Sequence, residues 1–162
     1  MNCEPGNQHC VVRYRNAWYA LPSGAVREVM LCPEITQLPN ASRILKGISH
    51  VNNEFLAVTE PLLDQPGKAN HTPCGRSRQL LVVTGLDGVW GVLVDEVAKL
   101  AILDDFQPHE SKEGHLCFLG AATNMGNDLR VLDVNQTYRS VMLELRSNWK
   151  PGVGDVETAQ KA

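Results

Sequence analysis

A few places in this sequence hold residue types that could do chemistry. In WGVLVDEVAKL, residues Trp90 to Leu100, an apolar run ends in two adjacent carboxylates, Asp95 and Glu96. In HESKEGH, from His109 to His115, two histidines enclose two glutamates. His71 and Cys74 in NHTPC stand at a spacing that suits half of a zinc site. Each has to be tested against what its chemistry requires.

A carboxylate pair of the glycosidase kind needs two groups roughly 5 to 10 Å apart, converging across a cleft. Successive side chains of a strand point to opposite faces, so Asp95 and Glu96 cannot aim at one bond. The sequence predicts instead that Asp95 opens a bend and that Glu96 is solvated. The zinc-protease motif H-E-x-x-H sets its histidines one helical turn apart; here the second is six residues on, with Gly114 between, and a solvated loop is expected. No second ligand pair accompanies His71 and Cys74. Cys32 and Cys117 lie in no nucleophile signature, and GLDGVWG lacks the order of a phosphate loop. The expectation is a protein without catalytic residues, metal or cofactor. The alternative is a small β-fold enzyme or a ligand or metal sensor working through His71, Cys74 or the Asp95–Glu96 pair.

Composition narrows the partners. At 162 residues the chain is one domain's worth, 43% hydrophobic and 20% charged, which is ordinary for a globular protein. A net charge of −3 offers no clustered basic face for nucleic acid. No apolar run reaches the ~18 residues of a membrane span, and MNCEPGNQHC has no signal-peptide shape, so a cytoplasmic protein is expected. The five cysteines recur at no fixed spacing and read as free thiols.

The elements that would position any site are mostly short strands. CVVRYRNAWYAL breaks at Arg15-Asn16 into a hairpin, and AVREVMLC continues the β pattern. Pro39-Asn40 signals a turn, after which Ser42 to Lys46 predicts a single helical turn ended by Gly47. Asn52-Asn53 suits a tight hairpin turn, because asparagine tolerates positive φ. Residues 61–78 carry Pro, Gly and polar residues without a period and read as a connector. QLLVVTGL and VWGVLV flank a second hairpin signal at Asp87-Gly88, with Trp90, Val92 and Val94 on one face and Leu93 on the other. HLCFLGAA and LRVLDV predict later strands. Tyr138, Val141, Met142, Leu145 and Trp149 follow helical spacing, so an amphipathic helix should pack on the sheets. The domain is expected over 10–149, between tails at 1–9 and 150–162.

GVLVDEV after a strand-turn-strand resembles the characteristic motif of the CheW family, the coupling proteins of bacterial chemotaxis-type signalling. AWYALPSGAVREVM is similar to the segment leading to that family's glutamate, here Glu28. ITQLPNASRILKGI resembles the stretch that ends in its Lys-Gly turn, here Lys46-Gly47, and RVLDVNQTY its late strand and terminal helix. The likeness runs from about Cys10 to Trp149.

The resemblance implies a mainly β fold of two five-stranded, SH3-like barrel subdomains around a shared core, with a C-terminal helix. It implies a non-enzymatic adaptor between a methyl-accepting chemoreceptor's cytoplasmic tip and the regulatory domain of a CheA-type histidine kinase, associated with membrane-receptor arrays. On this reading Glu28, Met30, Lys46, Asn52 and Asn53 face the kinase. Val92, Val94, Val97 and Leu100 line the receptor groove, with core packing the competing role for each.

The chain also departs from the family pattern. His50-Val51-Asn52-Asn53 replaces Asn-Leu-Arg-Gly, Ala57 replaces a proline, and Glu60-Pro61 stands for an acid-leucine pair. With the arginine lost, Glu28 is expected to be partly exposed and free for a cation on the partner, with Lys46 as a local competitor. A divergent branch serving pilus motility or another alternative array fits as well as flagellar chemotaxis.

Overall fold

The computed structural model describes residues 7–39, 43–61 and 78–148. Eleven strands run in chain order: β1 (Gln8–Tyr14), β2 (Ala17–Pro22), β3 (Val26–Leu31), β4 (Leu45–Val51), β5 (Glu54–Thr59), β6 (Gln79–Gly85), β7 (Gly88–Val94), β8 (Glu96–Ile102), β9 (Asp104–Glu113), β10 (Leu116–Asn124) and β11 (Asn127–Leu132). Helix α1 (Val134–Asn148) ends the described chain. The strands form two sheets, ordered β8-β1-β2-β11-β10-β9 and β3-β6-β7-β5-β4.

The two β subdomains expected from the sequence are present, but one carries six strands, not five. Neither ladder closes into a ring of hydrogen bonds among the described strands. In the six-stranded sheet, β8 and β9 occupy opposite edges, yet Leu103 alone separates them in the chain. The sheet must therefore curl enough to bring the end of β8 to the start of β9.

Both sheets deliver side chains to one core. Val12, Tyr14 and Tyr19 come from the first sheet; Leu81, Val83, Trp90, Val92 and Val94 come from the second. Strand β7 obeys the two-residue period: Trp90, Val92 and Val94 enter this shared core, while Leu93 packs with Val58 and Leu80 on the opposite face. Helix α1 closes the open side. Asp133 accepts from the Gln136 amide at 3.1 Å and starts the helix, Val141 is fully buried, and Tyr138 meets Trp90 edge-on at 5.5 Å. Trp149 lies outside the described residues.

The turns follow local chemistry with exceptions. Arg15, Asn52 and Asn53 have positive φ, and the last two give a two-residue hairpin its required geometry. The β6–β7 turn is Leu86-Asp87, one residue earlier than expected, because Gly88 already pairs with Gly85. The helical turn expected to end at Gly47 is not formed: Lys46 and Gly47 lie in β4, where Leu45 pairs with Thr59 and Gly47 with Val58. Sheet pairing overrides local propensity there. Gly47 also has φ 149°, and a Cβ would stand 2.1 Å from the Thr36 carbonyl oxygen. His109 to Glu113, expected as a loop, belong to edge strand β9, solvent-exposed for most of its length. Its polar side chains hide the strand from hydrophobic patterning while they protect the edge from foreign pairing.

Candidate protein-interaction surface

Strands β3 and β8 face each other across a groove of about 390 Å³. Its walls carry Val26, Val29 and Glu28 on one side and Val97, Lys99 and Leu100 on the other, with Cys10 and Ser23 between. Val29 is 40% exposed and Leu100 62% exposed. Large apolar side chains standing in solvent beside charged ones suit a protein partner better than a small molecule.

The residues expected to line the receptor groove divide into two groups. Val97 and Leu100 line the β3–β8 groove. Val92 and Val94 do not: they are 1% and 0% exposed, inside the core shared by both sheets, and their expected role as surface residues is corrected. The cause is the pleat of β7, which turns both toward Trp90 and its neighbours.

The expected kinase-facing residues also separate. Asn52 and Asn53 are exposed on the β4–β5 turn, and Glu28 is half-buried on β3. Glu28 is not free. The Asn52 Nδ2 amide donates to its Oε2 at 2.7 Å, and beside it Arg27 pairs with Glu54 at 3.0 Å. The expected competitor, Lys46, instead pairs with Glu60 at 3.0 Å. Met30 is half-buried against Val51, Leu56 and Val82, so it supports the sheet from inside.

Sequence reasoning missed a buried polar cluster. Glu60 is 4% exposed, and its carboxylate accepts hydrogen bonds from Tyr14 Oη at 2.6 Å and from Arg78 Nη2, with Lys46 on its second oxygen. Arg78 Nε also lies 3.5 Å from Asp95. Burial alone would raise the Glu60 carboxyl, but the bonds from Arg78 and Tyr14 and the nearby positive charge outweigh it and hold it below its ordinary value. Burial, then the bond to Glu60, push the Tyr14 phenol up. No spacing could have revealed this set, because its members come from distant strand ends.

The residues considered for catalysis are engaged elsewhere. Asp95 sits at a bend, accepts from the Arg15 amide through its side chain and donates its own amide to the Arg13 carbonyl at 3.0 Å. Glu96 is exposed and pairs with Arg13 at 3.1 Å. The bend at Asp95 and the solvated Glu96 agree with the sequence reading. Burial raises the Cys117 thiol, which keeps it protonated and a poor nucleophile. His71 and Cys74 lie outside the described residues. Among the described residues no group of three or more His, Cys, Asp or Glu is placed to hold a metal, and no helix is long and apolar enough to cross a membrane.

The model of the CheW-like domain matches residues 8–142 of this sequence. The chain belongs to the CheW-like domain family. Protein PilI of Pseudomonas aeruginosa is 34% identical over 87 residues, a match covering 52% of this chain and 47% of PilI. The shared region thus spans about half the length of that curated relative. The fold is similar to the crystal structure of the scaffolding protein TtCheW from Thermoanaerobacter tengcongensis, with a TM-score of 0.69 at 16% identity, covering 82% of this chain and 88% of that one. The CheW-like domain thus accounts for the two β subdomains around one core.

Proposed function

We propose that this CheW-like protein is a non-enzymatic adaptor that holds a chemoreceptor's cytoplasmic signalling tip against the regulatory domain of a CheA-type histidine kinase. The observation that carries this reading is the β3–β8 groove, where exposed Val29 and Leu100 stand among Glu28, Arg27 and Lys99. Such a groove accepts the apolar face of an amphipathic helix and matches its polar flanks. Glu28, Lys46, Asn52 and Asn53 are the proposed kinase-facing set, with Met30 beneath them. The likeness to PilI and the Asn52-Asn53 turn favour a pilus-type array over flagellar chemotaxis. The working unit is the single domain over 10–149, acting in the cytoplasm beside membrane receptors.

Co-purification from the native host tests the proposal. The tagged protein should retain a CheA-type kinase and a receptor. Purified kinase regulatory domain and receptor fragment that both fail to bind it at micromolar concentration would refute it.

A further inference from the structure

We infer that Gln79 is a positioning residue for the β3–β8 groove, holding both of its walls through one side chain and one backbone segment. The inference rests on the adaptor reading above, and it begins from a register irregularity.

Along β1 and β8, Cys10 pairs with Leu100, Val11 with Lys99 and Val12 with Val97, so the ladder skips Ala98. The skipped residue is a bulge. In a regular strand Val97 and Leu100, three positions apart, would point to opposite faces. The extra residue brings them to the same one, opposite Val12 and Cys10, which share a face of β1. Without such a device this chain could not set both side chains in one groove wall.

A bulge disrupts its ladder locally, and the amide at this one is satisfied from the other sheet. The Val97 amide donates to Oε1 of Gln79 at 2.5 Å. Gln79 itself lies on β6, where it pairs with Leu31, the last residue of β3, two positions beyond Val29 of the opposite wall. It pairs on its other side with Val94, at the end of the strand leading into β8. Its backbone therefore ties the end of β3 next to that wall while its side chain holds Val97 of the β8 wall, across the boundary between the sheets. Residue 79 sets their separation and with it the fit of a partner.

Amide hydrogen exchange on the full chain and titration with the soluble cytoplasmic fragment of the host's chemoreceptor test this together. In the native protein the Val97 amide should be protected; exchange there at the rate of an open loop overturns the inference by itself. Gln79→Leu removes the acceptor, and should speed Val97 exchange at least tenfold and weaken the fragment's Kd at least fivefold. Amides of β10 and β11 should stay unchanged. Gln79→Glu keeps an acceptor oxygen and should restore both within about twofold, whereas Gln79→Met, which fills the same space without an acceptor, should behave like Gln79→Leu; native exchange and affinity in Gln79→Met would mean that the glutamine acts by packing. Should Gln79→Leu not fold, the native Val97 protection and the Gln79→Glu variant still decide. Native affinity and native Val97 protection in Gln79→Leu would overturn the inference. A native protein that fails to bind the fragment would instead count against the adaptor reading, leaving the pinning to be judged by exchange at Val97 alone.

Discussion

Asn52 donates a 2.7 Å hydrogen bond to Glu28, joining the tip of the β4–β5 hairpin to the strand that forms one wall of the groove. An amide stands where the family pattern places an arginine, and it still reaches the same acid. The contact is exposed, so it contributes about 1 kcal/mol or less. It nevertheless sets where the Glu28 carboxylate points.

Asn52→Arg would replace that amide by a charge and hold Glu28 more firmly. Asn52 has φ 49°, so the arginine also meets a left-handed backbone that costs about 1 kcal/mol. Denaturation should show a loss near that size. Calorimetry with the cognate kinase regulatory domain should show weaker binding, because Glu28 is less available to a partner cation. Equal or tighter binding would show that Glu28 is not the anchor.

Glu60 is the one buried carboxylate among the described residues. Tyr14, Arg78 and Lys46 all converge on it in a nearly dry site. Removing one member of a buried charged set leaves the others uncompensated, at a cost of roughly 3–5 kcal/mol. Glu60→Ala should therefore lower stability by about that amount in urea unfolding, with Glu96→Ala, whose ion pair is exposed, within about 1 kcal/mol of the native protein.

The same carboxylate predicts an acid limb. Its pKa is depressed in the folded state, so its contribution is fully present above the unfolded value of about 4.3 and is lost as pH falls through the lower folded value. Melting temperature should drop as pH is lowered below about 4.3, and the drop should be shallower in Glu60→Gln. Tyr14 works at the other end. Its raised pKa stabilises the fold below about pH 10, and that contribution is lost as pH rises further. An unchanged acid limb in Glu60→Gln would assign it to other carboxylates.

Legibility in the sequence followed burial and locality. Trp90, Val92 and Val94 were readable as one face because β7 is apolar on both sides and ends at a charged bend. Strand β9 was not, since an edge strand whose side chains face water carries no hydrophobic period. Lys46-Gly47 read as a helix end because glycine has two uses, and only the approach of Thr36 shows which applies. The groove was half legible. The sequence reading named Val97 and Leu100 of its β8 wall but set Val92 and Val94 of β7, not β3, opposite them; the inward turn of Val92 and Val94 and the bulge at Ala98 depend on register, which one chain's pattern does not display. The Tyr14–Glu60–Arg78 cluster was invisible, because tertiary structure alone brings those positions together.

Gly47 supplies a sharper test of the β4 assignment. At φ 149° it occupies a region that other residues rarely adopt, and any side chain would meet the Thr36 carbonyl at 2.1 Å. Gly47→Ala must displace the segment that hydrogen-bonds along β4 through Thr36 and Ile48. Strain of this kind should cost more than the ~1 kcal/mol of an ordinary substitution, read as a fall in the urea midpoint. A midpoint within error of the native value would mean that segment 32–38 moves away freely.

The groove itself is tested by placing one charge in two environments. Leu100 is 62% exposed on the β8 wall, so Leu100→Asp removes apolar contact surface from the partner while leaving the core intact. Its melting temperature should stay within the small range of surface changes, about 0.5 kcal/mol of stability. Val94 is 0% exposed, and Val94→Asp puts a charge into the shared core, at a cost of several kcal/mol or protonation of the acid. Receptor-fragment binding should fall in Leu100→Asp although the protein is folded by circular dichroism. In Val94→Asp binding should fall only as folding does. If Leu100→Asp binds the fragment as the native protein does, the partner docks elsewhere, and the exposed apolar wall of β8 has some other use.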